Sequence, residues 1–178
     1  ELCGLEWDDI NFDLSLLDVQ RTSLYLPEKG VFVDETKNST SRRVLKLTPD
    51  AVQLLKRYRM WQNSERLRIG DRWAEEWEQH PRLFTTWDGK PLHPSTVTGW
   101  FHTFIERSDL PPISIHSLRH TNATLLIAAG TNVRTVSSHL GHAQTSTTMN
   151  IYSHSIKSAE AAAAEALQSV LTRKKKQA

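Results

Sequence analysis

Two glycines eleven residues apart, Gly130 and Gly141, divide the stretch from Ser114 to Ser155 into three short segments. Each glycine can take the left-handed conformation that ends a helix. The spacing predicts a helix from His116 to Ala129 closed by Gly130, with Leu118, Leu125 and Leu126 as its inner stripe. On that helix His116, Arg119 and His120 recur at three and four residues and share another face. A second helix is expected from Asn132 to His139, with Val133, Val136 and Leu140 turned inward and His142 set at the turn after Gly141. Thr145 or Ser146 would cap a third, carrying Met149, Ile151 and Tyr152. No apolar face requires Tyr152, so its hydroxyl is expected at the surface. The three segments therefore offer a hydroxyl, a guanidinium and two imidazoles on neighbouring elements.

Those groups suit attack on a phosphodiester. Charge gathers on the non-bridging oxygens as the phosphate becomes pentacoordinate, and an arginine can hold two of them at once. Imidazoles can donate to the same oxygens or move a proton. A tyrosine, with a reference pKa of about 10, needs such a cationic setting to act as a nucleophile. A lone helical His or Arg is most often a surface residue, but H-x-x-R-H, L-G-H and N-I-Y-S-H in one stretch form a joint pattern.

At these residues the chain resembles the tyrosine recombinases, the integrase family of phages and mobile elements. The resemblance implies active-site roles for His116, Arg119, His142 and Tyr152, and a supporting role for His120. It further implies attack by the tyrosine on a scissile phosphate, a 3′-phosphotyrosine, release of a 5′-hydroxyl, and rejoining without metal or other cofactor. The opening E-L-C-G-L-E-W-D-D-I is similar to the family segment that follows its first active-site arginine, with Glu1 at the acidic position three residues after it. On this basis residues 1–178 are expected to be one catalytic domain truncated at its N-terminal end, and to cleave poorly alone for want of that arginine. The stretch T-K-N-S-T-S-R-R-V-L-K-L-T resembles the family's hairpin, whose lysine, here Lys37, protonates the leaving 5′-oxygen.

Composition agrees with a soluble, globular chain: 178 residues, 38% apolar and 24% charged. A single cysteine, Cys3, permits no intrachain disulfide, and no apolar run reaches membrane-spanning length, so a cytoplasmic protein is expected. The net charge of +2 hides a polarity, with nine acids and two bases in residues 1–35 and nine bases and two acids in residues 36–70. The basic segment suits double-stranded DNA as partner.

The predicted fold class is α+β, mainly helical, with a small three-stranded antiparallel sheet near the N-terminus. Its strands would be one run through Val19, Thr22, Leu24, Tyr25 and Leu26, a second from Gly30 to Val33, and a third through Val44, Leu45 and Leu47. Leu2, Leu5, Trp7 and Ile10 are core candidates ahead of it. Arg42 and Arg43 are phosphate or strand-face residues. Thr48-Pro49-Asp50 starts a helix with Val52, Leu54, Leu55, Tyr58 and Met60 on its apolar side. Residues 62–80 carry no chemistry, their tryptophans serve packing, and Leu83-Phe84 reads as a short strand. His93-Pro94-Ser95 starts another helix, with Val97, Trp100, Phe101, Phe104 and Ile105 buried; Ser95, Thr96 and Thr98 in its first turn could hold a phosphate. The alanine-rich 156–171 reads as a helix through which the family resemblance implies self-association, and 172–178 as a disordered basic tail.

Two other functions fit parts of the pattern. One is a DNA-binding remnant without catalysis. The other is a zinc hydrolase using His116 and His120, which lacks the glutamate of H-E-x-x-H and a clear third ligand.

Overall fold

The computed structural model describes residues 1–35, 42–142 and 144–153. Lys37, the helix expected over 156–171 and the tail 172–178 lie outside the described residues. Two compact units divide the chain, Glu1–Pro112 and Ile113–Ala178. Short antiparallel strands and longer helices place it in the α+β class, as expected. No helix among the described residues is long and apolar enough to cross a membrane.

The first unit contains strands β1 (Ile10–Asn11), β2 (Leu16–Val19), β3 (Arg21–Leu26), β4 (Gly30–Glu35) and β5 (Arg43–Lys46), then helices α1 (Pro49–Ile69) and α2 (Pro94–Glu106). The run expected as one strand is broken at Gln20. Its first part joins β1 and β5 in a three-stranded sheet, with Val19 opposite Arg43, and its second part forms a separate hairpin with β4, Arg21 opposite Glu35. Polar side chains anchor the chain at the break: Gln20 Nε2 and Arg21 Nη2 both donate to Asp9 Oδ1, each at 2.6 Å. Arg21 also pairs with Glu6 at 3.0 Å, and both carboxylates are buried.

Removing the arginine that the two carboxylates share leaves Asp9 with neutral donors, Gln20 and the Glu6 N–H, and Glu6 with His80 at 3.5 Å. Arg21→Met is therefore expected to lower unfolding free energy by about 3 kcal/mol, measured by urea titration. A change within experimental error would show that Asp9 and Glu6 do not depend on Arg21.

The core of this unit gathers Leu5, Trp7, Ile10, Ile69, Trp73, Trp77 and Leu83. Fully buried Gln62 ties it together, accepting from Trp7 Nε1 at 2.6 Å and donating to the carbonyls of Arg82 and Leu83 at 3.2 and 2.9 Å. Trp73 and Trp77 meet edge to face at 5.9 Å, so these two tryptophans pack. Gly89, with φ +82°, crosses so closely over Trp73 that a Cβ there would stand 2.5 Å from the indole. Leu83 and Phe84 form no strand: isolated bridges join Glu6 to Arg82 and Thr85 to Pro91 instead.

Two apolar faces differ from expectation. On α1, Val52 and Ile69 are buried while Leu54 and Met60 are exposed. On α2 only Ile105 is buried; Trp100, 63% exposed, stacks on Phe104 at 5.6 Å. Helical periodicity identifies an apolar stripe, but tertiary contacts decide which part of it is covered.

The second unit holds α3 (Ile115–Ala128), α4 (Val133–Leu140) and α5 (Thr145–Ile151). Both glycines act as predicted. Gly130, φ +82°, lets Thr131 N–H reach the Leu126 carbonyl at 3.0 Å, and Gly141, φ +71°, lets His142 N–H reach that of Ser137 at 3.0 Å. Ser114 caps α3 reciprocally with Ser117, and Asn132 caps α4. Gln144 stands at the start of α5 without a side-chain cap, in place of the expected Thr145 or Ser146.

Candidate active site

Tyr152 is buried, only 5% exposed, against the expectation of a surface hydroxyl. Its ring packs with Ala123 and Ile127 of α3 and Val136 and Leu140 of α4. The α3 stripe is accordingly Ala123, Leu126 and Ile127, while Leu118 and Leu125 are exposed. Small Ala123, fully covered, admits the aromatic ring where leucine would exclude it. On α5 the inward residues are Thr148 and Tyr152, four apart, and Met149 and Ile151 face outward.

Burial leaves the phenol with one polar anchor among the described contacts: His120 Nδ1 lies 2.8 Å from Tyr152 Oη. The His120 ring meets that of His116 edge to face at 4.5 Å. Arg119, on the same helix, donates from Nη2 to the Leu140 carbonyl at the C-terminal end of α4, where the helix dipole favours a cation. Burial pushes the Tyr152 phenol above its ordinary pKa, and the charge of Arg119 pulls it back down. A cation and an imidazole thus act on one phenol. His142, placed by Gly141, lies with Nδ1 2.8 Å from Thr148 Oγ1.

The structure therefore brings together His116, Arg119, His120 and Tyr152, and ties His142, in the turn before α5, to Thr148 four residues before Tyr152. The bond of Thr148 to His142 is not legible in the sequence, because one threonine in T-S-T-T carries no mark of its own. Its place four residues before Tyr152 was the available signal.

The remaining predicted residues belong to the first unit. Arg43 makes two parallel hydrogen bonds to Glu1, both 2.9 Å, and Arg42 reaches Asp18 at 3.0 Å and Gln20 at 2.8 Å. Ser95 is taken into the cap of α2, its N–H and Oγ lying 3.3 and 2.7 Å from His93 Nδ1; Thr96 and Thr98 are exposed. No three His, Cys, Asp or Glu among the described residues converge as metal ligands do.

Comparison with known proteins shows the family of the chain. Residues 1–159 match the Phage integrase family. A tyrosine recombinase XerC-like protein of Caldanaerobacter subterraneus subsp. tengcongensis is 33% identical over 177 residues, covering 94% of this chain and 44% of its own. The ICEBs1 integrase of Bacillus subtilis is 29% identical over 155 residues, 86% of this chain and 40% of its own. The chain thus spans less than half the length of these curated relatives. In fold it is similar to the Tn1549 transposon integrase in complex with transposon right end DNA, with a TM-score of 0.74 and 23% identity over 94% of this chain and 53% of that one. The XerA recombinase gives a TM-score of 0.63 and 23% identity over 97% of this chain and 51% of that one. By the match over residues 1–159 and the 33% identity to the XerC-like recombinase, the chain belongs to the phage integrase family.

Proposed function

We propose that the chain is the catalytic part of a cytoplasmic tyrosine recombinase that breaks and rejoins double-stranded DNA at specific sites. The observation that carries this reading is the Tyr152 hydroxyl 2.8 Å from His120 Nδ1, with the charge of Arg119 offsetting part of the rise in the phenol's pKa that burial causes. Tyr152 Oη attacks phosphorus, its proton passing toward His120, while the P–O5′ bond breaks and a 3′-phosphotyrosine forms. Arg119, His116 and His142 bind the non-bridging oxygens as charge develops there. A 5′-hydroxyl then attacks phosphorus and returns the electron pair to the tyrosine. Each bond broken is matched by one formed, so no external energy source is needed. DNA contacts by Arg42, Arg43, Thr96 and Thr98, and self-association through residues 156–171, belong to the same reading. The assay is a nicked suicide duplex offered to the complete product of the gene, including any arginine ahead of Glu1. A covalent adduct insensitive to chelator supports the reading, and a bound but uncut duplex refutes it.

Lys37 is proposed as the acid for the leaving oxygen. Lys37→Ala should slow cleavage by about 100-fold. A duplex with sulfur at the bridging 5′ position, a better leaving group that needs no proton, should recover most of the loss. Equal defects on both duplexes would make Lys37 a phosphate contact.

A further inference from the structure

Thr148 is 0% exposed, and its only side-chain bond among the described residues runs to His142 Nδ1, at 2.8 Å. A helical threonine commonly returns its hydroxyl to the carbonyl four residues back; this one reaches across the turn after Gly141 instead. Its backbone has a second role, since the Thr148 carbonyl accepts from Tyr152 N–H at 3.0 Å. One buried residue therefore touches both a histidine and the tyrosine.

We infer that Thr148 is a positioning residue for His142, resting on the recombinase reading above. When the imidazole is neutral and Nδ1 accepts from the hydroxyl, the ring proton must sit on Nε2, which makes that nitrogen a donor for a phosphate oxygen. When the ring is protonated, Nδ1–H donates to Oγ1 and the ring keeps its place. A threonine hydroxyl serves both states because it donates and accepts, whereas a fixed acceptor or donor would serve one. Thr148 is fully buried, so its end of the bond is screened from water. The orientation of His142 thus depends on a group that touches neither DNA nor the reacting atoms.

Valine preserves the shape and branching of threonine and removes the hydroxyl; serine preserves the hydroxyl. Two readouts are taken on the complete product of the gene: the Nδ1 resonance of isotope-labelled His142, and the single-turnover rate of adduct formation on the nicked duplex. In the wild type and Thr148→Ser, Nδ1 should carry the shift of a hydrogen-bonded nitrogen. In Thr148→Val that shift should vanish and cleavage should slow about 10- to 100-fold, the range that removing the outer partner of a metal-bound histidine produces. Absence of the shift in the wild type overturns the inference even if the valine variant does not fold. Wild-type cleavage equalled by Thr148→Val overturns it as well. No adduct from the wild type, with the shift present and then lost in valine, sinks the recombinase reading and with it the role of Thr148 in that reaction.

Discussion

Tyr152→Phe is expected to form no covalent adduct with a nicked duplex, a loss of about 10^4-fold or more in cleavage. The substitution is unusually clean because the ring is buried. Phenylalanine keeps the contacts with Ala123, Ile127, Val136 and Leu140 and gives up only Oη with its bond to His120. Stability should change by about 1 kcal/mol, the net worth of one such bond. DNA binding should persist, since it sums many phosphate contacts and none of them requires the phenol. Unfolding and binding measured beside cleavage separate a lost nucleophile from a lost fold.

Arg119→Ala is expected to reduce the rate of adduct formation by roughly 100- to 1000-fold, the cost of removing one donor from a developing oxyanion. Arg119→Lys should restore only part of it, because an ammonium cannot hold two oxygens in a plane. Tyr152 supplies an independent sign. Its phenol is pushed up by burial and drawn down by Arg119, so the alanine variant should ionise at still higher pH. A raised phenol pKa means that neutral Tyr152 is favoured by folding; that stability is fully present below about pH 10 and is lost as pH rises through the folded value. Single-turnover rates across alkaline pH should therefore climb to a higher plateau pH in Arg119→Ala than in the wild type. An unchanged profile would separate Arg119 from the phenol.

The turns of the second unit were legible because glycine acts through its own backbone: Gly130 and Gly141 end helices, whereas the Ser114 cap, ahead of the expected start at His116, depends on its reciprocal bond with Ser117. The residue types of the site were also legible locally, as H-x-x-R-H needs only helical spacing. The burial of Tyr152 was not, because Ala123, Ile127, Val136 and Leu140 come from two other helices, and a small alanine gives no hydrophobic signal that outranks Leu118 or Leu125. The anchoring of the chain at Gln20 depends in the same way on Asp9, eleven residues earlier. In α2, periodicity marked Trp100 and Phe104 as one face, yet the exposure of that face is a property of what surrounds it.

The central claim is that Tyr152 is the residue that becomes bonded to DNA. The direct measurement is to trap the adduct on a nicked duplex, digest protein and DNA, and identify the linked peptide and nucleotide by mass spectrometry. The account predicts a peptide containing Asn150-Ile151-Tyr152 joined through the tyrosine oxygen to a 3′-phosphate. Linkage to Tyr25, to Tyr58, to a serine or to a 5′-phosphate would contradict it.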